Sequence, residues 1–251
     1  DEISIITRKI RIIQTDKKAV IVPKRKAYLL IGFFAMLLCG IGDCLLSYMG
    51  DGEPHVLAGI ISANIVNVPL WYYQASLVIG IIACVGALLA SRAACFYILD
   101  RQNGDRTGLY KSFSFGTTMM SVGIFGIHSI CCMALMNVRA ALLAGASADS
   151  IATYFTQSAL VPFAVGTIWQ TTADIISGVA FIIMVAKGKI PVPKFFIVIG
   201  PLVLYVICKV AAAVLTDVTG NSVFSHILGG GESWGIAMMF LAFYFAVRKE
   251  K

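Results

Sequence analysis

A small set of polar side chains interrupts the long apolar stretches of this 251-residue sequence. Ionisable groups in such surroundings are energetically costly, so each one marks a possible functional site. Carboxylates bind cations or carry protons, and a histidine acts as a general acid or base. We predict a ligand-binding set formed by Asp43, Gln74, His128, Trp169, Gln170, Asp174, Lys209 and Glu232.

The spacing of these residues places several of them on shared helical faces. Gln170 and Asp174 are four residues apart, so they lie on one face of a helix. His128 follows Thr117 and Ser121 along a second stripe of this kind. Polar stripes in apolar helices turn toward the interior of a bundle, and the two stripes therefore predict a polar pocket between helices.

The segment 226-HILGGGESWGIAMMF-240 combines three glycines with a glutamate at the start of an apolar run. Counting about 20 residues back from Arg248 places the membrane boundary near Leu228. Glu232 then lies about 6 Å inside that boundary. Because each glycine destabilises a helix by about 1 kcal/mol relative to alanine, we predict a loosened first turn that faces an outward-opening cavity.

Charge favours one class of ligand for this pocket. Asp43, Asp174 and Glu232 outnumber Lys209 and leave a net charge of −2 in the set when all four are ionised. That excess predicts a cationic ligand or proton coupling. Two simpler roles stay open. Asp43 and Lys209 form a structural ion pair in one of them, and Glu232 only caps a helix in the other.

The elements that must position these residues are membrane-spanning helices. The chain is 59% hydrophobic and 13% charged, whereas soluble domains are about 25% charged. Its apolar blocks are long enough to cross about 30 Å of hydrocarbon as helices. We predict an all-α bundle with spans at about 28–49, 71–98, 112–137, 158–186, 195–216 and 223–247.

This pattern divides the chain into an N-terminal segment and one transmembrane domain. Residues 1–27 form a basic N-terminal segment, either an amphipathic helix on the membrane surface or an irregular tail, and residues 28–248 form one transmembrane domain. The loop 50–71 contains an apolar stretch that is too short to span, and we expect it to rest at the interface or cap the bundle. Pro201 predicts a kink in the fifth span.

The basic residues predict the orientation of the bundle. Eighteen of the 20 lysine and arginine residues fall in four segments that six spans place on one side: 8–26, 92–111, 187–194 and 248–251. By the positive-inside rule both termini are cytoplasmic. Because the positive charge flanks the spans, it gives no indication of a nucleic-acid partner.

Several kinds of membrane enzyme lack their residues in this sequence. There is no GxSxG nucleophile motif and no P-loop, and HxxxH is absent among the three histidines. The seven cysteines lie in or beside apolar blocks, as small buried apolar residues do. We therefore predict no metal site and no cofactor. Acid–base chemistry by His128, or a metal site formed by Asp43, His128 and Glu232, remains an alternative.

Three segments resemble a family of small bacterial six-span proteins of uncharacterised function. They are GIGDCLL in the first span, 69-PLWYYQASLVIGIIACVGALL-89 at the second, and the glycine-rich third span with its histidine. The resemblance covers most of the chain. It implies a bacterial plasma-membrane location and supplies no activity or catalytic residue.

We predict a multi-pass membrane protein that binds or transports a small or amphipathic molecule through an outward-facing pocket. One alternative is an intramembrane enzyme that acts on a lipid or isoprenoid with His128 as acid or base. Another is a non-catalytic subunit docked through its N-terminal segment. The expected partners are the bilayer and a small-molecule or lipid ligand, with a homo-oligomer or a membrane complex left open.

Overall fold

The computed structural model describes the backbone of residues 2–50, 55–56 and 61–249, and the side chains of 24–50 and 61–249. The amphipathic face predicted for the N-terminal segment therefore lies outside the described residues. The helices are α1 (Glu2–Ser47), α2 (Trp71–Arg101), α3 (Gly108–Leu143), α4 (Ala148–Ser158), α5 (Leu160–Ala186), α6 (Pro201–Thr219), α7 (Val223–Ile227) and α8 (Gly231–Arg248). Short 3-10 turns cover Ala63–Asn67, Lys194–Ile197 and Leu228–Gly230, and β1 (His55–Val56) pairs antiparallel with β2 (Ile61–Ser62).

Six helical segments among the described residues are long and apolar enough to cross a membrane: Lys24–Ser47, Trp71–Arg101, Gly108–Leu143, Leu160–Ala186, Pro201–Thr219 and Val223–Arg248. The predicted all-α architecture with six spans is confirmed. The protein is a multi-pass membrane protein.

The fifth span starts later than the hydropathy pattern predicts. Lys194–Ile197 forms a separate 3-10 turn, and Pro201 occupies the first turn of α6 after Gly200. A proline at this position loses no helical hydrogen bond, and its fixed φ suits the start of a helix. The kink predicted at Pro201 is therefore wrong, because the proline begins the helix.

The bundle has two ends that can be told apart by their polar contacts. At the end that carries the C-terminus, which we call the basal end, Arg25 lies 2.6 Å from the carboxylate of Asp100. Lys249 donates to the carbonyl of Pro191 at 2.9 Å there. We call the opposite end, where α1 finishes at Ser47, the distal end.

A packed cap covers the distal end. Ile65 and Val68, from the loop between α1 and α2, are buried in one apolar cluster with Leu135 of α3 and Ile151 of α4. Arg139 donates to the carbonyls of residues 66 and 68 at 3.2 and 3.0 Å, which ties α3 to the same loop. The described apolar residues of this loop thus pack onto protein. The sequence interpretation contained no helix at α4.

The basal half holds the larger apolar core. Phe243 of α8 lies at its centre, with the rings of Tyr97, Phe113 and Phe181 at centroid distances of 6.1, 5.4 and 6.1 Å. All four side chains are fully buried. Burial differs strongly between spans: 67% of the apolar window of the last span is buried, against 11% for α6. The α6 helix is therefore peripheral.

Candidate ligand-binding site

The last span is interrupted where the three glycines lie. α7 ends at Ile227, a 3-10 turn follows, and α8 begins at Gly231, so the break predicted from the sequence is present. Gly230 packs backbone against backbone on α1, because a Cβ there would lie 2.5 Å from the carbonyl oxygen of Gly40. The interruption places Glu232 in the first turn of α8, facing into the distal half of the bundle.

A cavity of about 340 Å³ occupies this distal half. Five residues of the predicted set share its wall: Asp43, His128, Gln170, Lys209 and Glu232. They come from α1, α3, α5, α6 and α8, so polar side chains from five spans meet at one cavity. A sixth residue of the predicted set, Asp174, lines a smaller adjoining cavity of about 50 Å³ together with Glu232.

The cavity opens sideways between two helices. Its exposed lining residues lie on α5 and α6 and are Phe163, Thr167, Thr171 and Lys209. The residues that line it from α1, α3 and α8 are buried or half-buried. Because the exposed positions all flank the gap between α5 and α6, that gap connects the cavity with the surroundings of the bundle.

Asp43 and His128 form one half of the polar wall. The Nδ1 atom of His128 lies 3.3 Å from Asp43 Oδ1, and Ser233 donates to Asp43 Oδ2 at 2.6 Å. On the other side of the imidazole ring, Nε2 lies 2.8 Å from both the carbonyl oxygen and the hydroxyl oxygen of Ser76. The ring is thereby held between α1 and α2.

These contacts determine which ring nitrogen carries a proton. The Ser76 hydroxyl donates to the carbonyl of Gly42 at 2.8 Å, so it accepts from the histidine. Nε2 therefore faces two acceptors and must be protonated. The arrangement resembles a Ser-His-Asp triad in composition only, because Ser76 is fully buried, does not line the cavity and directs its proton at Gly42.

Gln170 organises the other half of the wall. Its Nε2 atom donates to both carboxylate oxygens of Asp174 at 3.1 Å and to Glu232 Oε1 at 2.9 Å. Two carboxylates thus share a single amide donor. The Oε1 atom of Gln170 is buried and accepts no hydrogen bond from the described residues.

Lys209 lies apart from both groups. It is exposed at the opening, and its ammonium lies 5.6 Å from the ring centroid of Tyr205. Among the described residues no ion pair joins it to Asp43, whose carboxylate contacts His128 and Ser233 instead. The ion-pair alternative for Asp43 and Lys209 is therefore not observed.

A family model matches residues 14–250, and its description is a family of unknown function, DUF6796. The matched range includes all six spans and the second half of the N-terminal segment. The chain belongs to this family. The resemblance to an uncharacterised family is confirmed, and the DUF6796 match contains every residue of the cavity. No curated protein and no solved structure matches the chain.

Two predicted site residues of this DUF6796 chain line neither the main cavity nor the smaller one. Gln74 is exposed on α2, and Trp169 is 43% exposed with its indole N–H donating to the carbonyl of Met119 at 2.9 Å. Trp169 precedes Gln170, and adjacent residues point about 100° apart on a helix. The face that carries Gln170 inward therefore turns the indole outward.

The predicted set lacks several polar residues of the wall and its support, and three of them contact or adjoin Asp43 and His128. Cys39 and Ser233 line the cavity, and Ser76 holds His128 from behind. Cys39 lies four residues before Asp43, a spacing that places a thiol and a carboxylate on one helical face. That spacing is the signal from which Cys39 could have been found.

Proposed function

We propose that the protein binds and carries a small cationic or amphipathic molecule in the distal cavity. The observation that supports this most directly is the pair of carboxylates, Asp174 and Glu232, gathered around one amide donor beside that cavity. Two carboxylates this close in a low-dielectric site hold a proton or a cation between them. Exchange of a proton for a cationic ligand is the coupling that such a pair provides.

The remaining polar atoms suit a ligand that donates hydrogen bonds. Gln170 Oε1 is buried without a donor among the described residues, and such an acceptor costs about 1–3 kcal/mol when left unpaired. A protonated amine supplies both the positive charge for Glu232 and an N–H for this oxygen. We therefore favour an organic ammonium ion over an anion as the ligand.

The shape of the site supports entry from the membrane. A volume of about 340 Å³ is within the range of small-molecule pockets, about 300–1,000 Å³. The opening between α5 and α6 is flanked by exposed apolar residues such as Phe163 and Ile168. An amphipathic molecule dissolved in the adjacent leaflet reaches the cavity through this gap without crossing the distal cap.

With the basic segments on the cytoplasmic side, the cavity lies in the outer half of the membrane. The proposal therefore places the protein in a bacterial plasma membrane with both termini inside, and places ligand entry in the outer leaflet. Cysteine labelling from each side of intact cells tests this orientation independently of binding.

Binding of tetraphenylphosphonium, an amphipathic cation without N–H groups, tests the charge preference of the proposed site. We expect the detergent-purified protein to bind it in equilibrium dialysis, and Glu232→Gln to weaken binding about tenfold or more, or about 1.4 kcal/mol. Asp217→Asn removes an exposed carboxylate of α6 that does not line the cavity, and is the matched control. Equal affinity of the two variants, or equally tight binding of tetraphenylborate, would contradict a cation site at Glu232.

The geometry gives less support to acid–base catalysis by His128 on a lipid or isoprenoid. Both ring nitrogens are engaged, Nε2 with Ser76 and Nδ1 with Asp43, so neither is free to face a substrate. A general base needs a nitrogen within hydrogen-bond reach of the reacting proton. We therefore place the binding function first.

A further inference from the structure

We propose that Cys39, Asp43 and His128 bind a divalent metal ion of the zinc class at the wall of the distal cavity. One donor atom from each residue lies within 4.8 Å of the other two. Thiolate, carboxylate and imidazole are the ligand types that zinc takes in proteins. The site is separate from the Gln170 cluster and does not depend on the proposed binding of an organic cation.

The helices present these donors in an arrangement that suits a metal. Cys39 and Asp43 lie one turn apart on α1, and His128 faces them from α3. Metal sites in helix bundles are built in this way, from pairs on one helix and partners on the facing helices. Donor atoms in a tetrahedral zinc site lie about 3.3 to 3.6 Å apart. The 3.3 Å between His128 Nδ1 and Asp43 Oδ1 already meets this spacing.

The contacts behind the donors orient them as in known metal sites. A histidine ligand usually donates its other ring N–H to a carbonyl or carboxylate, and a carboxylate ligand is itself hydrogen-bonded. Here Nε2 of His128 donates to the Ser76 carbonyl at 2.8 Å, and Ser233 donates to Asp43 Oδ2 at 2.6 Å. Gly80 leaves room for the ring, since a Cβ there would lie 2.5 Å from His128 Cδ2.

This proton assignment calls for a proton or a metal ion between Nδ1 and Asp43. With Nε2 protonated, a neutral His128 directs the lone pair of Nδ1 at Asp43 Oδ1, and two acceptors 3.3 Å apart repel each other. Either a second proton or a metal ion resolves the conflict. The metal also accounts for Cys39, a 1% exposed thiol that lines the cavity beside the other two donors.

Three protein ligands leave the fourth position of a tetrahedral ion open. All three donors line the cavity, so that position faces the cavity and takes water or an oxygen atom of a bound molecule. This differs from the sequence interpretation, in which every cysteine is a small buried apolar residue. The difference arises because α1 turns Cys39 toward the same space as Asp43.

Direct metal analysis tests the site. Tag-free protein is reloaded with zinc chloride, freed of excess ion by gel filtration and analysed by inductively coupled plasma mass spectrometry. We expect about one zinc per chain for the unaltered protein and less than about a tenth of that for Cys39→Ala and His128→Gln. Cys95→Ala removes another buried cysteine, outside the cavity, and should keep the full amount.

Equal zinc content in Cys39→Ala and Cys95→Ala would overturn the proposal, as would unaltered protein without zinc after reloading. If Cys39→Ala elutes as an aggregate, cobalt(II) bound to the unaltered protein decides. A thiolate-to-cobalt charge-transfer band supports the site, and bound cobalt without that band overturns it. Glu232→Gln should keep its zinc even when it loses tetraphenylphosphonium, so the two proposals fail separately.

Discussion

The basal and distal halves of the bundle are built on opposite principles. In the basal half, three buried aromatic rings surround Phe243 at centroid distances of 5.4 to 6.1 Å. The distal half surrounds a cavity of about 340 Å³ with carboxylates, an imidazole and an amide. The basal half is filled by packed apolar side chains, and the distal half encloses a cavity lined in part by polar groups.

The difference separates the half that stabilises the bundle from the half in which we propose ligand binding. Inside a bilayer there is no hydrophobic drive between helices, so close packing supplies the stability. Polar groups in the same setting are costly unless they are paired. The aromatic cluster therefore fixes α8 against α2, α3 and α5. This packing offsets the cost of the incompletely paired polar groups near Glu232.

The largest expected effect of a single substitution falls in the basal half. Phe243→Ala leaves a cavity at the centre of three buried rings and should lower the free energy of unfolding by about 3–5 kcal/mol. Unfolding in mixed micelles of increasing SDS content measures this change. Phe125→Ala, at a 49% exposed position of α3, is the control and should cost far less.

The same variant tests whether packing in the basal half affects ligand binding in the distal half. Tetraphenylphosphonium affinity of folded Phe243→Ala should stay within about twofold of the unaltered protein, because distant sites without shared partners act independently. A large loss of affinity would show that the aromatic cluster shapes the cavity, and the division into two halves would then fail.

A smaller effect is expected from a methyl group placed behind the amide of the distal site. At Gly123 an added Cβ would overlap Gln170 Oε1 and lie 3.0 Å from Trp169 Cδ1, so Gly123→Ala must displace the carboxamide. We expect about a tenfold loss of tetraphenylphosphonium affinity, because the displaced amide no longer holds the Glu232 carboxylate in place. Gly126→Ala, where a Cβ meets nothing within 4 Å on the same helix, should bind as the unaltered protein does.

The smallest expected effect concerns the opening of the cavity. Lys209→Gln removes an exposed positive charge near the proposed path of a cationic ligand, and should tighten tetraphenylphosphonium binding by about two- to fivefold at low salt. The gain should shrink as ionic strength rises. Lys189→Gln, at the basal end, is the matched control. Weaker binding of Lys209→Gln would mean that the lysine contacts the ligand favourably.

The spans could be predicted because hydrocarbon thickness fixes both length and composition of a crossing helix. The structure moves the fifth start to Pro201, since a proline is as suited to begin a helix as to kink one, and hydropathy cannot distinguish the two. α4 escaped prediction because it is short and packs under the distal cap through Ile151 rather than crossing the membrane.

Residue type predicted most of the polar residues of the candidate site, but the side of the helix on which each one lies was harder to predict. Asp43, His128, Gln170, Lys209 and Glu232 converge because charged and amide groups must avoid lipid. The rotation of a helix about its axis depends on its neighbours, which a single sequence does not specify. For this reason Gln74 lies outside the cavity, while Ser76, two residues later and about 200° round the helix, supports His128.

The peripheral position of α6 has a consequence for how the membrane itself acts on the protein. At 19 residues it is the shortest of the six spans found in the described part of the chain. Its length of about 28 Å barely matches a hydrocarbon layer of about 30 Å. A short helix with few protein contacts follows the bilayer by tilting or shifting when acyl chains lengthen. We therefore expect the width of the gap between α5 and α6 to change with the thickness of the bilayer.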